Sequence, residues 1–145
     1  MIIPLKEETS VQPAKGPPRV LVVDDDIYCR EILRMRLEMA GCEVSEALDG
    51  AKGVDLARRK NPSLIFLDWS MPLMDGWQVC RILKEDPTTR HIPIVIVTGL
   101  SEPLSPYGDI KNLADGFIQK PWEISDITAA LERFLPSVKG VRYGR

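Results

Sequence analysis

Short runs of consecutive apolar residues, each giving way to a polar side chain, recur along this chain. Arg19–Val23 runs into Asp24, Asp25 and Asp26. Leu64–Leu67 meets Asp68, Ile94–Val97 meets Thr98, and Gly116–Gln119 meets Lys120. Unbroken apolar runs suit parallel strands covered on both faces, whereas a half-exposed strand alternates. Glu43–Ala47 does alternate, as an edge strand would. Helical spacing fills the intervals. Ile27–Ala40 sets Ile32, Leu33, Leu37 and Ala40 on one face and stops at Gly41. Ala51–Lys60 carries Val54, Leu56 and Ala57; Gly76–Lys84 carries Val79, Ile82 and Leu83. Ser125–Phe134 carries Ile127, Ala130, Leu131 and Phe134, with Pro136 beyond its end. Strand and helix therefore alternate, which predicts an α/β fold: a doubly wound, five-stranded parallel sheet with helices on both faces. The interval Ser101–Leu113 is irregular. Pro103, Pro106 and Gly108 fall where its helix belongs, so a short or late-starting helix is expected, from about Asp109.

The pattern also sets boundaries. Residues 1–18 are rich in proline and charge and read as a flexible extension. Residues 19–135 form the domain, and residues 136–145 read as a solvated tail, too short for a further DNA-binding or catalytic domain. The expectation is a stand-alone unit, with a piece of a longer protein as the other possibility. A chain of 145 residues with 44% hydrophobic and 28% charged residues fits one domain with an ordinary core. The net charge of −2 offers no basic face, so no direct nucleic-acid contact is expected. No run approaches the roughly 18 apolar residues of a membrane span. Met1-Ile2-Ile3-Pro4 lacks the basic and apolar regions of a signal peptide, so a cytoplasmic location without membrane contact is expected. Cys29, Cys42 and Cys80 have neither zinc nor redox-motif spacing and read as free thiols. His91, the sole histidine, reads as a loop residue, so a histidine-based triad has little support.

In an open parallel sheet, ligands bind beyond the carboxyl ends of the strands. The polar residues that close the apolar runs would meet there. Gathered carboxylates repel one another and raise one another's pKa, and a bound cation relieves this. Mg²⁺ prefers oxygen ligands, commonly a carboxylate or two plus waters and a phosphate oxygen. A hydroxyl from Thr98 and an ammonium from Lys120 would complete the charge neutralisation of a phosphoryl group. Gly99 leaves backbone room beside them. Asp68 is the natural nucleophile, because carboxylates form acyl phosphates.

These residues resemble a known family. Val22–Asp26, Asp68-Trp69-Ser70-Met71-Pro72 followed by Asp75-Gly76, Val97-Thr98-Gly99, and Lys120-Pro121 are similar to the motifs of the receiver domain of two-component response regulators. The resemblance covers about Arg19–Leu135. It implies a flavodoxin-like sheet of order 2-1-3-4-5. It implies Asp68 as the phosphoryl acceptor, and Mg²⁺ held by Asp25, Asp68 and the Ser70 carbonyl, with Asp24 acting mainly through a metal-bound water. It implies Thr98 and Lys120 on the phosphoryl group, Phe117 as an aromatic switch coupled to Thr98, and a cis Lys120–Pro121 bond. The implied partners are a sensor histidine kinase or phosphotransfer protein and a downstream protein effector. The implied activity is that of a switch that phosphorylates and dephosphorylates itself, not of a metabolic enzyme. Departures exist: Gly99 stands where alanine is frequent, and Asp115-Gly116-Phe117 replaces a commoner Asp-Asp-aromatic. Ser70 and Leu100 lie where the family tunes dephosphorylation, and a leucine there implies a long-lived phosphoryl state.

Two other readings compete. A phosphoaspartate phosphatase of haloacid-dehalogenase type also uses strand-end aspartates, a hydroxyl, a lysine and Mg²⁺, and Asp24-x-Asp26 fits its pattern. It lacks support elsewhere: there is no cap insertion, no acidic pair ends a strand after Lys120, and Asp68 is left without a role. A receiver-like binding module that is never phosphorylated is the third.

Overall fold

The computed structural model of the chain describes residues 16–99 and 113–136. The expected N-terminal extension, the proline-interrupted helix, the tail and Leu100 thus fall wholly or mainly outside the described residues. The elements are β1 (Arg19–Val23), α1 (Ile27–Met39), β2 (Glu43–Ala47), α2 (Gly50–Lys60), β3 (Leu64–Asp68), α3 (Gly76–Glu85), β4 (Ile94–Thr98), β5 (Gly116–Gln119) and α4 (Ile124–Phe134). All strand pairs are parallel, and the order is β2-β1-β3-β4-β5. This is the doubly wound sheet that the apolar runs and the resemblance implied.

Successive strand residues point to opposite faces, so each central strand feeds two cores. Leu21, Val23, Ile65, Leu67, Ile94 and Ile96 pack with Val54, Ala57, Val79 and Leu83 of α2 and α3. Val20, Val22, Leu64, Phe66, Val95 and Val97 pack with Leu33 and Leu37 of α1 and Ile127 and Leu131 of α4. Burial on both faces is why β1, β3 and β4 carry no alternation. The edge strand β2 is only partly buried, and its burial rises from exposed Glu43 to buried Ala47 without the expected alternation.

Local chemistry sets the helix ends. Asp26 accepts from the backbone N–H groups of Tyr28 at 2.8 Å and Cys29 at 3.3 Å, capping α1. Asp75 and Gln78 exchange side-chain and backbone bonds at the start of α3, a capping box. Gly41 ends the α1 turn with φ of 92°, a value that favours glycine.

Three details differ from the pattern-based reading. Asp68 and Thr98 are the last residues of β3 and β4 and not the first beyond them. Ile32 does not join the core face. Only Leu33, Leu37 and Ala40 of that group are buried, because Ile32 sits one helical step of about 100° further around α1. The expected helix boundaries also shift by a residue, as with Gly50 and Glu85. The thiols are free as expected: Cys42 and Cys80 are buried, Cys29 half so. Burial pushes Cys42 up to about 11 and Cys80 up to about 12, so both stay protonated. His91 is exposed, its Nε2 lying 3.3 Å from Asn61 Oδ1. Among the described residues no helix is long and apolar enough to cross a membrane.

Candidate functional site

Strand register assembles the rim. Val23 pairs with Leu67, so Asp24 follows β1 where Asp68 ends β3. Asp68 pairs with Val97, and Thr98 with Gln119. The Lys120 N–H then donates to the Thr98 carbonyl at 2.7 Å, which carries the ladder past β5 and turns Lys120 to the same rim. Its Nζ lies 3.2 Å from Asp24 Oδ2 and 3.4 Å from Asp68 Oδ1. The Lys120–Pro121 bond is cis. Asp24, Asp25 and Asp68 each offer a carboxylate oxygen, all within 4.8 Å of one another. Asp24 and Asp68 are buried and Asp25 is exposed.

The electrostatics are unbalanced. Several carboxylates face one ammonium. Burial and then the Asp24 charge push the Asp68 carboxyl up to about 6, against the pull of Lys120. Burial pulls the Lys120 ammonium down, but the charges of Asp68 and Asp24 outweigh it and the net shift is upward. An excess of hard oxygen donors with a destabilised carboxylate among them is the donor set that fits Mg²⁺.

Asp26 stands apart from its neighbours. Its side chain is committed to the α1 cap, and the bonds from the Cys29 and Tyr28 N–H groups lower its pKa. Its own N–H donates to Asp24 Oδ1 at 2.9 Å, which orients that carboxylate. Thr98 is buried at the end of β4. Ser70 is exposed in the connection just after β3. Phe117 lies on β5 opposite Ile96 and is 37% exposed, on the outward side of the strand.

Two contributors escaped the sequence reading. Arg30 Nη1 donates to the Asp24 carbonyl at 2.8 Å while its Nε donates to Glu46 Oε1 at 3.1 Å. That clamp ties the acidic turn to α1 and β2. No local pattern announces it, since Glu46 lies on another element. Gly76 stands in the sequence as the start of a helical segment and part of a motif, with no sign of what its missing side chain permits. A Cβ there would fall 2.9 Å from both the Asp68 carbonyl oxygen and the Trp69 Cα. The glycine lets α3 start against the end of β3. Between them Leu73 has φ of 71° and is 99% exposed, a left-handed conformation unusual for leucine.

A family model described as the response regulator receiver domain matches residues 20–132. The chain belongs to that family. RpaA of Synechocystis, described as a DNA-binding dual master transcriptional regulator, is 36% identical over 118 residues, covering 81% of this chain and 49% of RpaA. The response regulator PleD of Caulobacter vibrioides is 44% identical over 103 residues, 71% of this chain and 23% of PleD. The chain thus spans about half or less of these relatives. A solved structure of Vibrio cholerae CheY4, a chemotaxis protein, superposes with a TM-score of 0.73 at 28% identity, covering 83% of this chain and all of that one. Receiver membership supports the phosphorelay reading and gives none to the phosphatase or to the unphosphorylated module. It lends no support to the expected absence of nucleic-acid contact, because RpaA is described as DNA-binding.

Proposed function

We propose that this receiver accepts a phosphoryl group on Asp68 from a histidine of a sensor kinase or phosphotransfer protein, and that the modified domain then changes its protein partner. The observation that carries the reading is the Lys120 ammonium between Asp24 and Asp68 at 3.2 and 3.4 Å, beside a third carboxylate from Asp25. In the transfer an Asp68 oxygen bonds to phosphorus as the donor's P–N bond breaks. With its pKa at about 6, Asp68 is mostly ionised at neutral pH and able to attack. Asp24, Asp25, Asp68 and the Ser70 carbonyl would hold Mg²⁺, which when bound neutralises charge on the phosphoryl oxygens. Lys120 exchanges a carboxylate partner for the new phosphoryl oxygen. Thr98, at the end of the neighbouring strand, donates its hydroxyl to the same group. A shift of Thr98 opens space along β4 and β5 for the Phe117 ring to turn inward, which biases a pre-existing minor state of that surface. The domain works as a switch in the cytoplasm, its only chemistry being on itself.

Acetyl phosphate with Mg²⁺ tests this. The intact mass should rise by one phosphoryl group, Asp68→Ala should abolish the rise, and Asp25→Asn should demand more Mg²⁺. An unchanged mass with every phosphodonor would sink the proposal. Turnover of a phosphomonoester that survives Asp68→Asn but not Asp24→Asn would return the phosphatase reading.

A further inference from the structure

Two members of the acidic rim are held in place by their surroundings, and the third is not. Asp24 is engaged at every polar atom. Its N–H donates to the Ala47 carbonyl at 3.1 Å, and its Oδ1 accepts the Asp26 N–H at 2.9 Å. Its Oδ2 faces Lys120 Nζ at 3.2 Å, and its carbonyl accepts from Arg30 Nη1 at 2.8 Å. Asp68 is buried at the end of β3 and faces the same ammonium at 3.4 Å. Asp25 is exposed, and its side chain has neither a hydrogen bond nor an ion pair among the described residues. Yet its carboxylate lies within 4.8 Å of the other two. The backbone therefore has to aim it. The peptide group joining Asp24 to Asp25 is planar, so fixing the Asp24 carbonyl oxygen fixes the direction in which Asp25 leaves.

Arg30 fixes that oxygen. It lies one turn into α1, where side chains lean toward the amino terminus and so toward Asp24. Its guanidinium is braced from the other side. Nε donates to Glu46 Oε1 at 3.1 Å, and Glu46 Oε2 accepts from Arg34 Nε at 3.0 Å. Glu46 is set in turn by the β2 register, opposite Val22. The Arg30 side chain is 13% exposed. An ion pair that only tied α1 to β2 would need the Nε contact and nothing more. Here a second nitrogen goes to a backbone carbonyl between two carboxylates of the rim, and a planar fork of donors can span both acceptors. We infer that Arg30 is a positioning residue for the Mg²⁺ site of the proposed function, a role that rests on that reading. By holding the Asp24 carbonyl against the anchored Glu46, it turns the Asp24–Asp25 peptide so that the Asp25 carboxylate joins Asp24 and Asp68. Arg30 acts through the backbone and not as a ligand.

Charge and positioning predict opposite signs. Arg30 is a cation beside an anionic site, so on Coulomb grounds its removal would tighten Mg²⁺ binding. Removal of a group that orients a ligand loosens binding, commonly by about 10- to 100-fold. Calorimetric titration of the unphosphorylated protein with Mg²⁺ separates the two. Arg30→Ala should raise the dissociation constant about tenfold. Glu46→Gln keeps the carbonyl bond but weakens its brace, and should raise the constant by less. In an Asp25→Asn background the effect of Arg30→Ala should shrink to about twofold, because the carboxylate that it aims has gone. Urea midpoints measured alongside give the purely structural outcome: a lower midpoint with an unchanged Mg²⁺ dissociation constant. Unchanged or tighter binding in both Arg30→Ala and Glu46→Gln, or a loss that persists in full without the Asp25 carboxylate, would overturn the inference and leave the Mg²⁺ site standing. A wild-type chain that binds no Mg²⁺ would overturn the site and the inference together.

Discussion

Both ends of the sheet hold a buried or half-buried lysine against aspartate, and the two ends behave differently. At the amino-terminal rim, Lys84 Nζ reaches Asp115 Oδ2 at 2.9 Å and the Ile92 carbonyl at 2.8 Å. The same Asp115 oxygen accepts the Ile94 N–H at 2.8 Å. Charge there is matched one to one, and each group has its partners. At the carboxyl-terminal rim, one lysine serves a cluster of carboxylates at longer distances, 3.2 and 3.4 Å. Asp68 responds with a pKa of about 6. The first arrangement is complete without a ligand and holds α3, β4 and β5 together. The second is short of positive charge, and under the proposed function a bound metal ion would make up that deficit. The same residue pair is a clasp in one setting and part of a candidate binding site in the other, and the count of charges separates them.

The contrast can be broken from either end. The largest effect is expected from Mg²⁺. At a hundredfold excess over its dissociation constant, a ligand that binds only the folded state adds about 2.7 kcal/mol. Thermal melts should rise with Mg²⁺ in the wild type and much less in Asp25→Asn. Next comes Asp68→Asn without metal. The folded pKa of about 6 lies above the ordinary 3.8, so Asp68 favours the folded state fully below about pH 4 and loses that contribution as pH rises through 6. The amide carries no such charge. Asp68→Asn should therefore match the wild type at pH 4 and exceed it at pH 8, by about 2 kcal/mol. Equal melting points at pH 8 would mean the carboxylates are not in conflict.

At the balanced end the sign reverses. Asp115→Ala should destabilise by about 1.5 kcal/mol, because the Ile94 N–H loses its acceptor and Lys84 its charge partner. A lower urea midpoint at unchanged slope is the expected readout. The smallest effect belongs to Leu73, beside the site, at φ of 71°. Leu73→Gly should relieve the left-handed backbone and add about 0.5 kcal/mol, less than the strain itself because glycine gains freedom in the unfolded chain. A loss of stability would show that the leucine side chain has a contact worth more than the strain.

Sequence alone determined the fold class, the strands and which polar residues gather at the carboxyl-end rim. Those features are local: an apolar run buried on two faces cannot alternate, and a polar residue closing such a run in a parallel sheet lies at the ligand-binding end. Asp24, Asp25, Asp68, Thr98 and Lys120 were legible for that reason. Tertiary structure decided the rest. Three consecutive aspartates look equivalent in the chain, yet the α1 cap takes Asp26 out of the cluster. Periodicity put Ile32 on the core face, yet the sheet covers too narrow an arc of α1 to reach it. The Arg30 clamp on Asp24 has no signature in the chain. Lys120 stands 52 residues from Asp68 and 96 from Asp24, and only the packing of strands sets how near their charges come. Periodicity is a property of neighbours along the backbone, whereas distance between charges, and hence pKa, depends on every element lying between them.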